Sequence, residues 1–359
     1  MRAIGRSLRP WRHLFALALV GTLAAATVMT AVGPAAARSS SANSHKLRTH
    51  TYNLDAPTSV ALDGADLFVT NGGNNSVTEV KASDGSFVAT LSAKRFGFDT
   101  PTAIVAVGND LFVANSANNS VTEFGASSHK HIRTIRGTSY SFADPIALAS
   151  SGQDLFVLNG AGSITEVATG TGTLIGTASG SVFGFSQPTG LAVADGDVFV
   201  ANSASDTVTV LSAESRAFVG SLSGPTFDFS TPTGVAFDGT NVWVTNQGAA
   251  SVTEFSPTTL EELNVLVSSN LPMVGPITSG DGYVFAVSPW GSSPMVSQIT
   301  PSSPAVNWMM CNTNGPYLFN NPQALVVAGA DVWVVNEGGN SLTELDAASG
   351  ALIQTIFNP

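Results

Sequence analysis

The chain has 359 residues, 43% hydrophobic and 11% charged, with 35 Gly, 20 Phe and a single cysteine. That composition is too apolar for disorder, and one cysteine rules out an intramolecular disulfide. A formal net charge of −11 sets aside nucleic acid and anionic membrane surfaces as partners.

In chain order, Arg2, Arg6, Arg9 and Arg12 precede an apolar run over 14–32, and Ala35-Ala36-Ala37 offers an A-x-A site. This is a secretory signal pattern with cleavage after Ala37. The run is long for a signal core, so an N-terminal membrane anchor is the alternative. The expected division is a signal peptide at 1–37, a polar spacer at 38–45 and one folded unit at 46–359, secreted or held at the cell surface. Removing the signal takes four of the 14 basic residues and none of the 25 acidic ones.

From there one unit recurs. DLFVTNGGNNSVTEV at 66–80 returns at 110–124, 154–167, 197–211, 241–255 and 331–345, with a worn copy from Tyr283. Each unit opens at a proline: Pro57, Pro101, Pro145, Pro188, Pro232, Pro276 and Pro322. Periods of this length mean propellers or other repeat arrays. After the proline comes a small residue (Ser59, Ala103, Ala147, Gly190, Gly234, Thr278, Ala324), as an innermost strand near an axis requires. Gly- and Asp-rich turns follow, such as Asp63-Gly64. The second strand is a short apolar core such as Leu67-Phe68-Val69, predicted to be buried on both faces. A third strand at 76–80 and a fourth at 87–91 complete the unit. Four antiparallel strands repeated seven times predict an all-β, seven-bladed β-propeller. The segments 46–51 and 351–357 compete for the outer edge of the last blade. We expect 351–357 to be the fourth strand, with 46–51 alongside it.

The repeated Phe68-Val69-Thr70-Asn71, its copies at 112–115 and 243–246, and the following Asn-Ser-Val-Thr resemble the YVTN-type propeller repeat. The proline openings resemble NHL repeats and virginiamycin B lyase-like propellers. The resemblance spans nearly all of 57–359 and implies the fold. Its families include sensors, surface proteins and a few enzymes. The lyases of that group imply a catalytic His with acidic, magnesium-associated partners, whereas the blades here hold only His129 and His131.

Three sets of positions compete for a functional role. Asn71, Asn115, Asn159, Asn202, Asn246 and Asn336 close the second strands, and Glu79, Glu123, Glu166, Glu254 and Glu344 sit on the third. Residues present in nearly every unit serve the unit. The Asn amides are expected to satisfy loop backbone groups, and the Glu to be half-buried and bonded locally. An aromatic-x-Phe pair before the proline, such as Phe96 and Phe98, is expected to pack between blades. The third set lies where the repeat breaks, in blade six: Trp290 in a Pro/Gly-braced loop and Asn312, Asn314 and Tyr317 in the exit. Cys311, nearby, reads as a small buried hydrophobe. The expected function is a non-catalytic propeller, monomeric, offering this surface to an extracellular protein, peptide or glycan. The alternative is a metal-dependent lyase or hydrolase with its site at the central channel. No cofactor follows from the sequence.

Overall fold

A computed structural model describes residues 51–268, 271, 274–289, 293–301, 303–313 and 315–358. Among them twenty-eight strands form seven four-stranded antiparallel sheets, each built from consecutive strands. The protein is a seven-bladed β-propeller, and six of its seven first strands begin at the predicted prolines. Blade six starts at Ile277, with Pro276 just outside and its carbonyl accepting the Val287 N–H. The second strands are buried throughout after their first residue, as their unbroken apolar cores require. Small residues on the inner strands are needed for close approach. A Cβ on Gly234 would lie 2.9 Å from the Gly275 carbonyl of the next blade.

One polar clasp recurs in the blades. Asn71, fully buried, accepts the Asp55 N–H and donates to the hydroxyls of Ser76 and Thr78. The Thr78 hydroxyl in turn donates to the Tyr52 carbonyl. Asn115, Asn159 and Asn202 repeat the pattern. The clasp ties the second and third strands to the segment leading into the blade. On that segment the aromatic pair stacks about a left-handed residue: Phe96 on Phe98 at 5.3 Å across Gly97, and Tyr317 on Phe319 at 5.5 Å across Leu318. The expected backbone role of Asn and packing role of the aromatics are what the structure shows.

The Glu set is buried more deeply than its alternation with Val predicts. All five are between 1% and 3% exposed, and two reach into the next blade. Six of the seven seams have one long side chain that fills them. In seam one–two, the fourth strand offers only Ala89 opposite Glu79, and His129 comes across from blade two, its Nε2 2.6 Å from Glu79 Oε2. In seam three–four, Gly176 stands opposite Glu166, and Arg216 of blade four pairs with Glu166 over it. A Cβ on Gly176 would sit 2.5 Å from Arg216 Nε. Seam two–three is the reverse. Arg133 of the fourth strand pairs with Glu123 at 2.9 Å, and blade three supplies Gly172, whose Cβ would lie 2.7 Å from Arg133 Cδ. Seams six–seven (Trp308 against Gly350) and seven–one (Gln354 against Gly85) follow this second form. In seam four–five the strand has Val210 in place of Glu, Gly220 opposite it, and Leu260 packing in from blade five. In seam five–six Glu254 accepts from Asn241 and Asn264, both at 2.7 Å. Every buried carboxylate therefore has a partner, as its desolvation demands.

The ring closes with the same parts. The Asn75 side chain accepts the Thr100 N–H of the next blade, Asn119 that of Asp144, and Asp206 that of Thr231. Asn340 accepts the Ala56 N–H at 2.7 Å, joining blade seven to blade one. Leu54 and Asn358 add two hydrogen bonds, and Tyr52 is buried with Trp333, Leu342 and Ile356. Leu352–Phe357 is the fourth strand of blade seven, as expected. Thr51 lies outside any strand, and 46–50, proposed to run beside it, lie outside the described residues, as does the expected export segment.

Candidate functional site

The loops between second and third strands share one face of the ring with the links between blades. Asn74 donates to the Asn53 carbonyl and Asn118 to the Gly97 carbonyl across them. On this face the six links described at this point hold a left-handed residue between the two positions of the aromatic pair. It is Asn53, Gly97, Ser141, Gly184 or Asp228 in five links, residue types that tolerate positive φ. In the link from blade six to blade seven it is Leu318, at φ 57° and 57% exposed. A branched apolar side chain there costs roughly 1 kcal/mol of backbone strain, and its apolar surface remains in water.

A two-bond Asn brace holds it, of the kind that Asn358 makes to Leu54 at the ring closure. Asn312 Nδ2 donates to the Phe319 carbonyl at 2.7 Å, and its Oδ1 accepts the Phe319 N–H at 2.9 Å. Tyr317 is 8% exposed, stacked on Phe319, with its hydroxyl donating to Met310 Sδ at 2.8 Å. Burial raises its phenol above the usual range. Of the four residues singled out from sequence, Asn312 and Tyr317 thus shape and support the link from below. Trp290 and Asn314 lie outside the described residues. Leu318 was missed. The signal for it was present: it is the one apolar residue among the described aromatic-x-Phe fillers.

Flanking this link, blade six carries a fourth strand, Val306–Cys311, rich in large apolar residues. Trp308 donates its Nε1 to the Ala348 carbonyl of blade seven at 3.2 Å. Cys311 is buried, its sulfur 3.0 Å from the Thr313 hydroxyl.

The ring axis offers different chemistry. The innermost strands carry half-buried aliphatic residues, among them Val60, Leu62, Val105, Leu148 and Val193. Thr58, Thr102 and Thr189 spend their hydroxyls on the carbonyl of the next blade's proline. Among the described residues no group of three or more His, Cys, Asp or Glu is placed to hold a metal ion. His129 and His131 stand far from the axis, on the outer turn and outer strand of blade two, beside Glu79 and Thr134. The His and acid set implied by the lyase resemblance is not assembled among the described residues.

No family model matches the chain, and no curated protein does. Solved structures do. Virginiamycin B lyase from Staphylococcus aureus superposes with a TM-score of 0.64 at 12% identity, over 80% of this chain and 95% of that one. A streptogramin B lyase superposes at 0.63 and 11% identity, over 82% and 93%. A chain of a mitotic checkpoint complex superposes at 0.64 and 13% identity, over 88% and 96%. The likeness is one of fold, shared by enzymes and by a component of a protein assembly. The chain shares the β-propeller fold with them.

Proposed function

We infer that the protein is an exported, non-catalytic propeller. It presents the link face at blades six and seven to an extracellular protein, peptide or glycan. The observation that carries this reading is Leu318, a strained and exposed apolar residue where the repeat uses Asn, Gly, Ser or Asp, held in place by Asn312. The left-handed turn recurs in the other described links, but only this one sets an exposed leucine in it, and strain of that kind clusters at functional sites. The Met and Trp side chains beside it supply an adaptable apolar surround.

The test is capture from extracellular material by the immobilised chain from Arg38 onward, compared with Leu318→Asn and, as a control on the outer strand of blade one, Val88→Asn. Asn at 318 suits the backbone, so the variant folds. The reading requires a bound species that the control retains and Leu318→Asn loses. If both retain it, the link face is not the site. A thermal-shift series with EDTA, Mg²⁺ and Ca²⁺ addresses the lyase or hydrolase alternative: a metal-specific rise in melting temperature would favour it.

A further inference from the structure

A second surface lies three blades away. Five large apolar side chains are exposed on blades three and four: Leu174 and Ile175, Phe218 and Val219, and Val182 in the link between them. Phe183 joins them, its ring edge-on to Phe218 at 6.1 Å. No charged residue occurs over 167–194 or 217–227, in a chain with 25 acidic residues. Ile175 and Val219 occupy β-bulges, outside the strand ladder. The same bulge recurs in the fourth strands of the other blades; it re-aims the side chain and spoils the edge for backbone pairing, so contact at this strip is made by its apolar side chains.

The flanking charges differ in sign. On one side Arg133 donates to the Gly170 carbonyl of the blade-three turn, with Lys130 and Arg136 beyond it on blade two. On the other side Glu214 is exposed on the equivalent turn of blade four, with Glu261 and Glu262 on blade five. A two-fold axis parallel to the ring axis, through the seam between blades three and four, lays the blade-three turn of one copy against the blade-four turn of the other. Arg133 then faces Glu214 at both ends of the strip. A two-fold along the rim instead sets each blade against itself, inverted, and leaves both charges unanswered.

We propose that this strip is a self-association surface, on which two copies of the chain pack rim to rim about that two-fold. The contact is isologous, with an apolar centre of Ile175, Val219, Leu174 and Phe218 and a charged border. It replaces the expectation of a monomer and leaves Leu318 free in both copies.

Sedimentation velocity of the chain from Arg38, over micromolar to tens-of-micromolar concentrations, tests it. The wild type is expected to be a dimer in reversible exchange. Ile175→Lys with Val219→Lys is expected to weaken association at least about tenfold. Glu214→Arg is expected to weaken it more at low than at high ionic strength. Ile175→Ser with Val219→Ser serves if the lysine variant fails to fold. A wild type that is monomeric throughout, or a folded double variant that dimerises as before, overturns the proposal.

Discussion

The seams invite a swap. In seam three–four Arg216 crosses above Gly176 to reach Glu166; in seam two–three Arg133 reaches Glu123 from its own strand and Gly172 gives way. Arg216→Gly removes the base from a carboxylate that is 2% exposed. Breaking a buried pair from one side costs about 3–5 kcal/mol. Arg216 is left-handed at φ 60°, so glycine returns roughly 1 kcal/mol of strain. The expected net loss is about 2–4 kcal/mol. Gly176→Arg alone places a second guanidinium against the first and also destabilises. Together the two substitutions convert seam three–four into the form of seam two–three. The double variant should therefore recover to within about 1 kcal/mol of wild type, a coupling well outside additivity. Urea unfolding of the four proteins, with unchanged m-values, measures it. A double variant whose loss equals the sum of the singles would refute the idea that one long side chain fills such a seam from either side.

Three further outcomes follow from the clasp, the closure and the buried acids. Asn71→Ala strips partners from the Asp55 N–H and from two buried hydroxyls, and should cost about 2–4 kcal/mol in urea unfolding. Asn340→Ala, for which Ala250 is a natural precedent, should cost only about 1 kcal/mol and speed hydrogen exchange at the Ala56 amide. Burial, with Asp331 beside it, holds Glu344 up at about 7, above its ordinary 4.5. The folded chain thus binds this proton more tightly than the unfolded chain. Its contribution is complete below about pH 4.5 and is lost as pH rises through about 7. Glu344→Gln stays neutral, so it should match wild type near pH 4 and exceed it by roughly 2 kcal/mol near pH 8. Equal stability at the higher pH would show that Glu344 ionises without penalty.

The fold was legible because each blade repeats its own instructions. Proline opened the first strand, Leu-Phe-Val the buried second, and Asn closed it. The structure adds what one-dimensional periodicity does not carry. Alternation along the third strand marks Glu79 and Val80 as facing opposite sides of a sheet, and suggests that one side is wet. In a ring both sides face another blade, so Glu79 is buried and finds His129 50 residues later. The Ala89 and His129 pairing, or Arg133 and Gly172, is a correlation across about forty residues and two strands. It emerges only when the register is known. The candidate site was half legible. The break in blade six drew attention to Asn312 and Tyr317, whose size and polarity suggested contact. Their side chains turned out to be spent on Phe319 and Met310, and the residue they present, Leu318, looks ordinary until its φ is known.

The closure has a consequence for how the protein is made. Six of the seven seams join stretches of chain that are near neighbours in synthesis, so each new blade docks on one already present. The seventh joins Leu54 to Asn358, 304 residues apart. Until Asn358 has been made, the ring is an open arc whose two end blades expose the Trp333 and Tyr52 sides of an unfilled seam. A growing chain must keep the Tyr52 side apart from other chains until Trp333 and the strands after it have been made. Delivery of the last blade, rather than formation of the first, is then the step at which the molecule becomes safe from its neighbours.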